Sequence, residues 1–120
     1  MRHRPVRLPG PQGGRHHRDL RATGDTTHVA ALEVDLHLPH CHSLKEKRVV
    51  VKSILHGAQR RFGVAAAEVA DQDKWQRAGL GFATVSGRSA HAEEILQKVE
   101  RFVMSFPEVE VIEAYWGADA

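Results

Sequence analysis

From His28 onward the chain alternates. Ala30, Leu32, Val34, Leu36 and Leu38 interleave with Ala31, Glu33, Asp35 and His37, a period of two that predicts a strand with one buried face. Pro39, which cannot donate to a ladder, ends it. Residues 44–62 switch to helical spacing, with Leu44, Val51, Ile54, Leu55, Ala58 and Phe62 on one stripe and Gly63 as the stop. Residues 64–69 read as a short second strand. Residues 71–77 are a polar connection containing Trp75. Residues 80–85 are a third strand, with small Gly79, Gly81 and Ala83 at alternate positions. After a turn at 86–89, with Ser89 as the expected N-cap, Ala92, Ile95, Leu96, Val99, Phe102, Val103 and Phe106 recur at i, i+3, i+4, i+7. Pro107 stops this helix, and residues 109–115 form a last strand.

The order β-α-β-β-α-β predicts an α+β, ferredoxin-like plan: two amphipathic helices on one face of a four-stranded antiparallel sheet. The other face of such a sheet is open. At 120 residues the chain holds one domain, expected over 28–116, with a short tail at 117–120. No apolar run is long enough to span a membrane. The basic N-terminus lacks the apolar core of a secretory signal. The single cysteine, Cys41, excludes an intrachain disulfide framework and points to a reducing compartment, hence the cytoplasm.

Charge is divided unevenly. Residues 1–27 carry six arginines against Asp19 and Asp25, a net of +4, while the rest carries 11 basic and 13 acidic groups, a net of −2. The high isoelectric point therefore belongs to the N-terminal segment, and the body must bind any polyanion through a local patch. Residues 1–27 are poor in apolar side chains and are expected to be disordered. They read either as a flexible basic arm or as translated upstream sequence from a misassigned start. The second reading is favoured, because no aromatic or repeated unit interleaves the arginines.

Ser43-Leu44-Lys45-Glu46-Lys47-Arg48 is the most informative stretch. Ser43 and Glu46 form a capping box at the start of the first helix. Cations in a first turn oppose the helix dipole, so Lys45, Lys47 and Arg48 there suggest an anion site. Lys45 and Arg48, three apart, can flank one ligand, as can Lys45 and Lys52 two turns apart. Lys47 lies about 200° from Lys45 and serves a different contact. The plainer reading is a solvated helix face whose lysine stems cover apolar surface. A cation cluster of this kind would bind RNA backbone with salt-dependent affinity.

Three further groups carry candidate chemistry. In the connection 71–77, Trp75 packs at the core edge, stacks on a base or fills a partner's pocket, with packing the commonest fate of a tryptophan. Asp73 and Arg77 flank it as contact candidates, and Arg77 is expected to pair with Asp71 or Asp73 and stiffen the loop. Two carboxylates alone do not specify a cation site, and no third ligand is local. His37, His40, Cys41 and His42 are metal-ligand types, but adjacent residues point apart and do not close a tetrahedron. The histidines are placed to lower the Cys41 pKa without forming a triad. The open sheet face would present Glu33 and Asp35, with either the Gly/Ala set or Leu80 and Phe82 from the third strand. Acidic central positions repel phosphate, so base stacking on the sheet is disfavoured. A dimer contact or simple solvation are the alternatives. No nucleophile elbow, P-loop, dinucleotide fingerprint or metalloprotease motif occurs.

These residues resemble a known family. Leu36-His37-Leu38-Pro39 followed by the Ser43–Arg48 hexapeptide, Arg61-Phe62, Ala67-Glu68-Val69, Gln72-Asp73-Lys74-Trp75-Gln76-Arg77-Ala78, Val85-Ser86 and the helix around His91 to Phe102 are similar to the bacterial YlxP-like proteins. The resemblance covers about residues 28–116. It implies a ferredoxin-like fold and brings no catalytic residue and no cofactor. Members are often encoded near translation and ribosome-maturation genes. The resulting expectation is a non-enzymatic accessory protein of translation or ribosome maturation. It contacts RNA or a ribosomal particle through Lys45, Lys47, Arg48 and Lys52, with Asp73, Trp75 and Arg77 as loop contacts. A protein-interaction or homodimer module is the alternative, and a small phosphoester- or acyl-handling enzyme a weaker third.

Overall fold

A computed structural model describes residues 26–118. Of the expected disordered segment 1–27, all but Thr26 and Thr27 lies outside the described residues. The elements are β1 (His28–His37), α1 (Leu44–Phe62), β2 (Ala65–Ala70), β3 (Arg77–Ser86), α2 (Ser89–Met104) and β4 (Glu110–Ala118). The sheet order is β2-β3-β1-β4, with every neighbouring pair antiparallel. This is the α+β, ferredoxin-like arrangement that the periodicity predicted, with β1 and β3 central.

Register decides which residues enter the core. Leu32 lies opposite Phe82 and Trp116, and Val34 opposite Leu80 and Ala114. Leu32, Val34, Leu36, Leu80 and Phe82 are buried against the helices, along with Ile54, Leu96, Val99 and Val103. Each such side chain contributes about 1.5–3 kcal/mol by leaving water. The choice for β3 left open by the sequence is thereby settled. Leu80 and Phe82 point inward, while Gly79 and Gly81 lie opposite Asp35 and Glu33 on the open face.

Local chemistry sets the boundaries. Ser43 Oγ accepts from the Glu46 N–H at 3.1 Å, and Glu46 Oε1 accepts from the His42 N–H at 2.7 Å. The carboxylate arm thus reaches one residue further back than in the usual capping box. Gly63 closes α1 at φ 67°, where a side chain would be strained, and its N–H donates to the Gln59 carbonyl. Several boundaries differ from expectation: β2 is shifted by one residue to Ala65–Ala70, α2 ends at Met104 before Phe106, and β4 starts at Glu110. Arg88, not Ser89, is the N-cap of α2 and makes no side-chain cap, because the turn instead uses Ser86 Oγ to accept from the Arg88 N–H. β3 starts at Arg77, since its ladder with β1 continues to His37. β4 runs past Tyr115 to Ala118.

The helices approach closely at Gly57. A Cβ there would lie 2.6 Å from Phe102 Cζ. Phe102 in turn meets Phe62 and Phe106 edge-on, with ring centroids at 5.7 and 5.2 Å. Gly57→Val therefore wedges the helices apart. The expected cost is about 1–3 kcal/mol, read as a lower urea midpoint with an unchanged slope.

Candidate functional site

Lys47 is the buried exception of this core. It is 1% exposed, on the same row of α1 as Val51, Ile54 and Ala58. Its Nζ lies 2.8 Å from Glu68 Oε2 and donates to the Asp71 carbonyl. Glu68 reaches it because β2 turns Glu68 and Ala66 toward the helices, opposite Leu80 and Phe82. Glu68 Oε2 is itself buried and accepts no hydrogen bond, so the ion pair with the Lys47 ammonium is its sole polar contact among the described residues. A buried pair of this kind holds only while both members are present. An inward-pointing charge also discourages pairing at β2, an edge strand. Lys47 therefore cannot meet RNA or any external anion, which corrects its inclusion among the anion contacts. Its charge is spent on Glu68.

Through Lys47 the first turn of α1 holds the β2–β3 connection. Asp71 adopts φ 61°, a left-handed conformation that aspartate tolerates, and its carbonyl also accepts from the Lys74 N–H at 3.1 Å. Gln76 ties the same connection to the one after β1. Its carbonyl accepts from the Leu38 N–H at 2.9 Å, and its Nε2 donates to the Cys41 and Pro39 carbonyls at 3.0 and 3.3 Å. Two of the segments that carry the YlxP-like resemblance, Ser43–Arg48 and Gln72–Ala78, thus meet in space, and Lys47, Glu68, Asp71 and Gln76 are the joint between them.

Trp75 stands outside this joint. It is 52% exposed, so core packing is not its role. Asp73 and Arg77 are also exposed. Arg77 pairs with neither Asp71 nor Asp73; Lys74 takes Asp71 instead, at 3.4 Å. The expected stiffening comes from Lys47 and Gln76.

Lys45, Arg48 and Lys52 are all exposed, and none pairs with a carboxylate among the described residues. Helical angles put them within about 60° of one another and about 100–160° around the axis from Lys47. They face away from the loop that Lys47 touches. The stripe and the Trp75 loop are therefore two surfaces, not one. Arg60, which the hexapeptide motif does not include, is exposed and extends the same outer face two turns beyond Lys52. The signal for it is the composition of α1, which holds six cations and a single acid, Glu46. Arg61 is spent differently, lying over the Phe62 and Phe102 rings at 5.8 and 5.1 Å.

Cys41 is buried. Burial raises its pKa, and Glu46 adds to the effect, which corrects the expectation that nearby histidines lower it. The thiol is thus a packing group, and maleimide labelling at neutral pH is expected only after unfolding. No cluster of three or more His, Cys, Asp or Glu able to hold a metal occurs among the described residues. None of the described helices is long and apolar enough to cross a membrane.

Comparison with known proteins gives a family and a relative. A family model described as "Protein of unknown function (DUF503)" matches residues 29–116, which span nearly all of the strands and helices described. The chain is also 48% identical over 68 residues to "Uncharacterized protein YlxP" of Bacillus subtilis (strain 168), a match covering 57% of this chain and 74% of that protein.

Proposed function

Because this chain belongs to the DUF503 family, whose description assigns no activity, we propose a role from its geometry: a non-catalytic accessory of translation or ribosome maturation that binds RNA backbone through the outer face of α1. The observation that carries this reading is the row Lys45, Arg48 and Lys52, without carboxylate partners among the described residues and continued by Arg60. From Lys45 to Arg60 the helix rises about 22 Å, several phosphate spacings of a nucleic-acid strand.

The charge distribution supports an oriented encounter. The body is net acidic, so no general field attracts RNA. The open sheet face carries Glu33, Asp35 and Glu113, which repel phosphate and turn the cationic helix toward it. The genomic setting implied by the YlxP-like resemblance fits a ribosomal partner. Trp75, exposed on the separate surface of the β2–β3 connection, is available for a second contact. Titration of a fluorescent 20-nucleotide RNA at several salt concentrations tests the proposal, with the Lys45→Ala/Arg48→Ala/Lys52→Ala variant as the comparison.

A further inference from the structure

The sheet face turned away from the helices is covered by nothing among the described residues. It divides into two parts. Toward β2 and β3 it is a shallow apolar groove of about 500 Å³ with a floor of Ala31, Ala67, Gly81 and Ala83. Val69 rises beside this floor, and a Cβ on Gly81 would sit 3.2 Å from its methyl group. The low floor is thus a packing requirement as well as a recess. Tyr115 stands on the other side, 47% exposed, across β1 from the groove.

The second part is acidic. Glu33 lies opposite Tyr115, Asp35 opposite Glu113, and His37 opposite Glu110. The Tyr115 hydroxyl is 3.1 Å from Glu113 Oε1. Its pKa is raised, first by that hydrogen bond and then by partial burial and the charges of Glu113, Asp35 and Glu33. Two basic side chains share this part of the face: His37, which meets Glu110 at 3.1 Å, and Arg77, opposite His37 on β3; among the described residues neither pairs with Glu33, Asp35 or Glu113.

From this charge complementarity we infer that the open face docks an extended, arginine-bearing segment of a partner protein. Its apolar side chains enter the groove, and its guanidinium groups stack on Tyr115 and pair with Glu33, Asp35 and Glu113. Guanidinium suits this place better than ammonium, because it is planar, stacks on aromatic faces and meets carboxylates bidentately. A phosphate-bearing ligand is repelled here. A second copy presenting the same face would bring carboxylates toward carboxylates. This surface is separate from α1 and does not depend on the RNA reading.

The test is a fluorescent decapeptide of alternating arginine and leucine, titrated into the full chain. Wild type is expected to bind it in a salt-sensitive manner, and an alternating lysine–leucine peptide more weakly. Glu33→Gln/Asp35→Asn/Glu113→Gln should weaken binding at least tenfold with an unchanged melting temperature. Ala83→Trp should block the groove, with circular dichroism confirming the fold. Peptide binding that is absent in wild type or unchanged in the charge variant overturns the inference. A wild-type dimer in sedimentation that Ala83→Trp dissociates assigns the face to a second copy and overturns it as well. So does a rise in peptide affinity on deleting residues 1–25, which assigns the face to this chain's own arginines.

Discussion

Lys47→Ala lowers the stability of the domain by about 3–5 kcal/mol, the range for breaking a buried ion pair by removing one partner. The lost attraction is the smaller part of this. Glu68 Oε2 is left buried with no partner, and the Asp71 carbonyl loses a donor. For a domain of this size the melting temperature falls by more than about 10 °C. Lys47→Met/Glu68→Met replaces both charges with apolar groups of similar length and recovers most of the loss. A double-mutant cycle by urea unfolding therefore shows strong coupling between residues 47 and 68. Were Lys47 an external anion ligand, the single variant would keep its stability and the cycle would show no coupling.

Lys45→Ala/Arg48→Ala/Lys52→Ala has the opposite signature. All three side chains are exposed and lack carboxylate partners among the described residues, so removal leaves stability within about 0.5 kcal/mol per site. RNA affinity falls roughly a hundredfold, at about 1 kcal/mol for each cation withdrawn from a phosphate. The decrease is uniform across RNA sequences, because backbone interactions position a ligand without reading its bases. Anisotropy titrations with two unrelated RNAs check both parts.

The helices and the central strands were legible because their apolar residues recur with a single period. Leu32, Val34 and Leu36 need only the alternation, and Ile54 and Ala58 only the helical stripe. The same stripe places Lys47 one turn before Val51, so its burial could be read as a charge standing at an apolar position. Its partner could not be read. In β2 the helix-facing positions are Ala66 and Glu68, while Ala65, Ala67 and the larger Val69 face outward. Hydrophobicity thus points to the wrong face, and only register with Phe82 and Leu80 corrects it. The start of β3 was hidden for a related reason. Arg77 has no apolar signal, and its place in the ladder follows from pairing with His37. Helical angle alone already set Lys47 apart from Lys45 within the hexapeptide. The fold gives that division its content, with Lys47 holding the β2–β3 connection and Lys45 and Arg48 on the outer surface.

That division is tested most directly by the salt dependence of RNA binding in two variants measured side by side. A plot of log affinity against log salt should keep its wild-type slope in Lys47→Met/Glu68→Met, which changes only the buried joint. In Lys45→Ala/Arg48→Ala/Lys52→Ala the slope should shrink by about 2–3, close to one unit for each phosphate no longer neutralised. Equal slopes in the triple variant and wild type, or a slope that disappears with Lys47 instead, would contradict the account.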